Sequence, residues 1–240
     1  MRGVFFIVGP TATGKSEIAA DVARTINAEV ISADAFQIYQ GFEVLSAKPS
    51  TSTLAKVPHH LIGTMPIHEE MNAEKFRREA LRAIGQIHAR GKVALVAGGS
   101  GLYIKALTHG LTDDWKKVNA DPGGIFVSRD RNELYSRINQ RVETMFEKNV
   151  LEEVRASGAM SSTASKMIGL REIRELIDGK MSILQCIAQI QQNTRNYAKR
   201  QLTWFRHQTS FEPLNLSLLT HSEAVTWISQ RAERLVRAKG

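Results

Sequence analysis

A chain of 240 residues with 42% hydrophobic and 23% charged residues has the composition of a globular protein, which excludes the fibrous, collagen-like and disordered classes. Its single cysteine, Cys186, excludes a disulfide framework and any multi-cysteine metal centre, and fits a reducing, cytoplasmic setting. The excess of 32 Lys+Arg over 24 Asp+Glu, a net +8, points to a polyanionic partner without specifying a fold.

Residues 4–8, Val-Phe-Phe-Ile-Val, form a short apolar run ending at glycine, as a strand buried in a parallel sheet does. The run is too short for a secretory signal or a membrane span, and no other reaches about 18 residues, so neither leader nor membrane segment is expected. Ile18, Ala19, Val22, Ala23 and Ile26 recur at helical spacing, and residues 29–34 read as a second strand. Residues 35–71, with Pro49, Pro58 and Pro66, read mostly as loop. Phe76, Ala80, Ile84 and Ile87 share one face of a helix that Gly91 stops, and residues 93–97 form a third buried strand before Gly98-Gly-Ser-Gly101. Strand and helix alternating in this way predict an α/β protein with a doubly wound parallel sheet. Residues 112–124 are polar and contain the turn signal Asp121-Pro-Gly-Gly124, and residues 125–127 read as a fourth strand. Helices follow: one carrying Leu134, Ile138, Val142, Met145 and Phe146, one over 168–177, a long one capped by Ser182 with a stripe through Ile183, Ile187, Ile190, Thr194, Tyr197 and Trp204, and an amphipathic one over 224–236. Two parts of one compact domain are expected, a core over 1–111 and a basic, helical C-terminal region over 125–240.

Gly9, Pro10, Thr11, Ala12, Thr13, Gly14, Lys15 and Ser16 match G-x-x-x-x-G-K-[ST] between a predicted strand and a predicted helix, the P-loop of nucleotide-binding and ATP-binding proteins. Backbone N–H groups and a helix N-terminus there form an anion cradle, Lys15 adds a point charge, and Ser16 is placed to ligate Mg²⁺. The expected ligand is a polyphosphate or diphosphate, and the core is P-loop NTPase-like. A Walker-B acid is missing, because the third strand ends Val96-Ala97-Gly98. Asp34, at the carboxyl end of the second strand, is the candidate general base or outer Mg²⁺ ligand, against the reading of a turn or N-cap aspartate.

Gly98-Gly-Ser-Gly101 is either a second phosphate nest or a close-packed turn. His59 and His60 are read as structural more readily than as metal ligands, since adjacent histidines do not easily face one ion. Arg129, Arg131, Arg137 and Arg141 form a basic stretch whose last two members are one helical turn apart. Between Asp178 and Glu212 there is no acidic residue, while Arg195, Lys199 and Arg206 share a helix face, a pattern suited to nucleic acid. Tyr197, Trp204 and Phe205, interleaved with them, read as core.

Together these motifs resemble the tRNA dimethylallyltransferases (isopentenylpyrophosphate transferases). The P-loop, Ile31-Ser-Ala-Asp-Ala-Phe-Gln-Ile-Tyr39, Ala47-Lys-Pro49, Pro58-His-His-Leu-Ile62, Ala97-Gly-Gly-Ser-Gly-Leu-Tyr103, the stretch from Arg131 to Arg141, Ile168-Gly-Leu-Arg171 and Ala198-Lys-Arg-Gln-Leu-Thr-Trp204 occur in family order. The resemblance implies transfer of a dimethylallyl group from its diphosphate to N6 of an adenosine next to the anticodon, with Mg²⁺. It implies Lys15, Ser16, Arg131 and Arg137 on the diphosphate, and Asp34 as base. It places Asp34, Gln37, Ser100, Lys166 and Arg171 on the tRNA side, to which the basic helix adds Arg195, Lys199 and Arg200. A monomer is expected. Three departures stand out: Ala35-Phe36 replaces the usual Ser-Arg, Gly63 replaces an Asp, and residues 112–124 stand where the family inserts a sizeable helical domain. The shortness keeps alive an adenylate isopentenyltransferase acting on a free nucleotide, a P-loop small-molecule kinase, and an RNA-binding paralogue without catalysis.

Overall fold

A computed structural model describes residues 3–110 and 123–237. Most of the segment 112–124 therefore lies outside the described residues. Six strands, β1 (Val4–Val8), β2 (Ala28–Ala33), β3 (His59–His60), β4 (Val93–Gly98), β5 (Gly124–Ser128) and β6 (Glu212–Asn215), form one sheet in the order β3-β2-β4-β1-β5-β6. Every neighbouring pair is parallel. Such a sheet is covered on both faces, which is why β1 is apolar throughout.

Successive residues of β1 face opposite layers. Val4, Phe6 and Val8 join one core with Ala94, Val96 and Phe126, against the helices α3 (Ala73–Ala89) and α4 (Gly101–His109). That layer continues into the C-terminal helices α5 (Arg131–Glu147), α6 (Val150–Arg155), α7 (Leu170–Ile177) and α8 (Ile183–Gln208). Phe5 and Ile7 join a second core with Leu95 and Val127, covered by α1 (Lys15–Thr25) and α9 (His221–Arg237). A short helix over Thr51–Leu54 interrupts the long loop after β2. Ser182 caps α8 in a full capping box with Gln185, as its position predicts.

Besides the short helix over Thr51–Leu54 and α6, three further elements are not foreseen by the sequence reading. β3 is two residues long, β6 carries Pro213 on the sheet edge where a missing N–H is harmless, and α4 opens at Gly101, the last residue of Gly98-Gly-Ser-Gly101. The histidines are structural. His60 Nε2 lies 2.8 Å from Glu29 Oε2, and His59 Nδ1 lies 2.8 Å from Val57 O. Glu29 is buried near the start of β2, and its bonds to Arg90, with His60 and Lys92 alongside, hold its carboxyl down to about 2. No group of three or more metal-ligating side chains occurs among the described residues, and none of their helices is long and apolar enough to cross a membrane.

Candidate active site

All strands being parallel, their carboxyl ends share one edge, where open α/β sheets bind ligands. The P-loop leaves β1 there, Asp34 leaves β2, Gly99 and Ser100 leave β4, and Arg129 leaves β5. The P-loop folds back through positive φ at Ala12 (64°) and at Gly14 (88°), which opens α1 as its N-cap without any side-chain cap. The first N–H groups of α1 are thus left for an anion. Inside the loop, Thr13 Oγ1 and Lys15 Nζ donate to Pro10 O at 3.0 and 3.2 Å.

Arginines grip the loop from outside. Arg129 Nε donates to Thr13 O and Arg137 Nε to Ala12 O, each at 2.9 Å. Each leaves guanidinium donors over, although Arg129 also pairs with Glu133 at 2.6 Å. Arg141, one turn beyond Arg137 on α5, has a buried Nε with no partner. Burial lowers its affinity for a proton and Arg137 adds to this, while Asp34 opposes both. Lys15 is likewise packed about by protein, which holds its ammonium down to about 8 against the pull of Asp34. A cavity of about 790 Å³ collects Lys15, Ser16, Asp34, Arg137 and Arg141. Clustered cations with donors to spare, two of them packed about by protein, suit an anion.

One oxygen of Asp34 is committed to a turn. Its Oδ1 accepts from the backbone N–H of Phe36 (3.0 Å) and Gln37 (3.3 Å), the bonds of a turn aspartate. No hydrogen bond among the described residues claims its Oδ2. Asp130, which follows β5, is turned to Asn215 Nδ2 at 2.9 Å.

Comparison with known proteins decides the family. The IPP transferase family profile matches residues 37–123 and 116–208. The chain belongs to the IPP transferase family. Relatives named tRNA dimethylallyltransferase include one from Oenococcus oeni, 38% identical over 221 residues (85% of each chain), and one from Chlorobium phaeobacteroides, 32% identical over 311 residues (98% of this chain, 95% of the relative). The second alignment is longer than this chain, so that relative carries segments absent here. Two solved structures superpose throughout. One is a tRNA delta(2)-isopentenylpyrophosphate transferase from Staphylococcus epidermidis (TM-score 0.86, 27% identity, 96% of this chain and 99% of that one), and the other a full-length tRNA isopentenylpyrophosphate transferase from Bacillus halodurans (TM-score 0.87, 25% identity, 99% of each).

In this IPP transferase the remaining expected residues divide. Gln37 lines the cavity, yet its amide is committed: Nε2 donates to Ala47 O at 3.1 Å and Oε1 accepts from Ser32 Oγ at 3.3 Å. Ser100 begins α4, gives its N–H to Ala33 O at 3.1 Å, and does not line the cavity. Arg131 does not join the P-loop cations as expected; its guanidinium lies over the Tyr135 ring at 5.3 Å, because the first turn of α5 points it away from the Arg137 and Arg141 face. Lys166 is exposed beside Met167 and Ile168, which line the cavity. Lys199 and Arg200 are exposed, the latter over Tyr197 at 5.8 Å. Arg171 pairs with Glu172 at 3.0 Å, and Arg195 bonds Asn139 at 2.6 Å and Gln192 at 2.8 Å, joining α5 to α8.

The glycines after β4 make room for close packing and form no second nest. A Cβ on Gly99 would lie 2.3 Å from Gln201 Nε2, and one on Gly101 would lie 2.5 Å from the Trp204 ring. Gln201 is a residue that the sequence reading passes over. Buried on α8, it accepts from Thr11 N (2.9 Å) and donates to Gly99 O (2.8 Å), clamping the P-loop to the end of β4. Its one signal is its place in the buried stripe Cys186, Ile190, Thr194, Ala198, Gln201, Phe205: a glutamine on such a stripe needs internal partners. Of the aromatics read as core, Phe205 is buried against Phe126, Trp204 is half-buried, and Tyr197 lines the cavity.

Proposed function

We propose that this chain is a tRNA dimethylallyltransferase that moves a dimethylallyl group from dimethylallyl diphosphate to N6 of an adenosine next to the anticodon. The observation that carries the reading is one cavity holding both an anion cradle and a carboxylate with a free oxygen, in a chain whose relatives bear that name. The diphosphate binds the P-loop N–H groups, Lys15, Arg137 and Arg141. As the C1–O bond breaks, its electron pair stays on the departing diphosphate, where these preorganised cations meet the developing charge. N6 of the adenine forms the new bond to C1, and its proton passes to Asp34 Oδ2 while Oδ1 keeps the carboxylate in place.

Mg²⁺ fits this site. It is commonly held by one or two protein oxygens, substrate phosphates and waters, and Ser16 at the start of α1 is the hydroxyl that would hold it. It would supply further neutralisation of the diphosphate. The adenine is reached by swinging out of its stack. A kinase reading has less support, since β4 ends without a carboxylate.

Mass spectrometry of tRNA nucleosides from cells lacking this chain and from cells re-supplied with it tests the proposal. N6-dimethylallyladenosine returns on re-supply; its continued absence overturns the reading.

A further inference from the structure

The α5 wall of the cavity carries an apolar side chain as well as cations. Arg137, Arg141 and Met145 follow one another at intervals of four residues on its wall, so Met145 stands about 12 Å along the helix from Arg137. Beside it the lining includes an apolar group, Val44, Leu45, Met145, Met167 and Ile190, with Thr144 and Lys148 of α5 also on the wall. Val44 and Leu45 belong to no helix or strand. They are held by Glu153 on α6, whose Oε1 accepts from Val44 N at 2.8 Å and whose Oε2 accepts from Leu45 N at 2.7 Å. Bonds from N–H to a carboxylate are among the strong ones. Leu45 then wedges between helices; a Cβ on Gly169 would lie 3.1 Å from Leu45 Cδ1 and 3.3 Å from Ile190 Cδ1.

We propose that Glu153 is a positioning residue for the isoprenoid end of the substrate: by clamping Val44 and Leu45 it fixes the apolar wall and gives the site its preference for a five-carbon allyl group. The proposal rests on the prenyltransferase reading above. Glu153 touches no substrate; it acts through two backbone amides 108 and 109 residues away in sequence. Losing it releases the wall while leaving the P-loop cations in place.

The test is calorimetric titration of the full chain with two ligands carrying the same diphosphate, dimethylallyl diphosphate and methyl diphosphate. Four extra buried carbons make the wild type prefer the first by about 10²-fold. In Glu153→Ala that preference falls to about tenfold or less, with methyl diphosphate affinity changed less than about threefold. Glu153→Gln, which keeps shape and one acceptor, falls between. Leu45→Ala removes the same wall without touching the clamp, and reproduces the loss of preference should Glu153→Ala not fold. A preference kept in Glu153→Ala or in Leu45→Ala, or a loss shared equally by both ligands, overturns the proposal. A wild-type chain that binds neither ligand overturns the functional reading itself, so the two failures are distinct.

Discussion

Asp34 forms a turn and is the proton acceptor of the proposed reaction, so the informative replacement separates the two. Asparagine keeps an Oδ1 able to accept from Phe36 N and Gln37 N but cannot take a proton. Asp34→Asn is expected to lose at least about 10²-fold in single-turnover rate, the low end for a general base, with diphosphate affinity nearly unchanged. Asp34→Ala adds the loss of the turn bonds. Turnover by the asparagine variant at the wild-type rate removes Asp34 from the chemistry. Lys15 carries a pH signature. Its folded-state value of about 8 lies below the ordinary 10.5 because burial penalises the charged form. Below about 8 the lysine is charged folded and unfolded, and the burial cost weighs on the folded chain in full. As pH climbs from 8 towards 10.5 the folded form sheds its proton first and that cost is relieved, so the ligand-free chain gains stability there. A bound diphosphate favours the ammonium, so binding takes up a proton above pH 8 and affinity falls by up to about tenfold per unit. Lys15→Arg, charged throughout, flattens this dependence in titrations at pH 7, 8.5 and 9.5. Since the ligand's own titration is common to both proteins, an equal fall in the two shows that Lys15 is not its source.

At the scale of elements, the P-loop is held by a helix that is nearly two hundred residues away in sequence. Gln201→Ala leaves Thr11 N–H and Gly99 C=O without their partner, at a cost of about 1–3 kcal/mol for each buried group left unpaired. Urea denaturation is expected to show a lower midpoint at unchanged slope, and diphosphate affinity falls as the loop loosens. An unchanged midpoint shows the clamp to be dispensable. This clamp also marks how far the sequence was legible. The strands β1, β2, β4 and β5 announce themselves by apolar runs, and the P-loop by its spacing, because those signals are local. β3 is too short to have a period, and β6 contains a proline that argues against a strand unless the edge is known. Gln201 and Glu153 were silent for a different reason: each matters only through backbone groups brought to it by the fold. The local partners of Arg131 and Gln37 were silent in the same way, since a family position says which residue is present and not which partner its neighbours leave it. Gly98-Gly-Ser-Gly101 admitted two readings until Trp204 and Gln201 were found to occupy the space that side chains would need.

The whole molecule's charge gives a final prediction. The exposed cations Lys166, Lys199, Arg200 and Arg206 are free to meet phosphates, whereas Arg195 is spent on Asn139 and Gln192. If these four counter-charges neutralise RNA phosphates, the slope of log K against log [salt] is about −2.8 to −3.6, since each neutralised phosphate contributes roughly 0.7 to 0.9. Lys199→Ala then reduces the slope by about one and weakens binding alike for all tRNA sequences, while dimethylallyl diphosphate affinity stays put because Lys199 lies outside the cavity. The Chlorobium phaeobacteroides relative is aligned over more residues than this chain contains, so in the proposed complex tRNA would meet less protein here. A larger share of the affinity must then come from surface charge, and its slope should be at least as steep as that relative's under identical buffer. A flat salt response, with turnover on free adenosine nucleotide, would mean that the substrate is the nucleotide itself and that the basic helix serves another end.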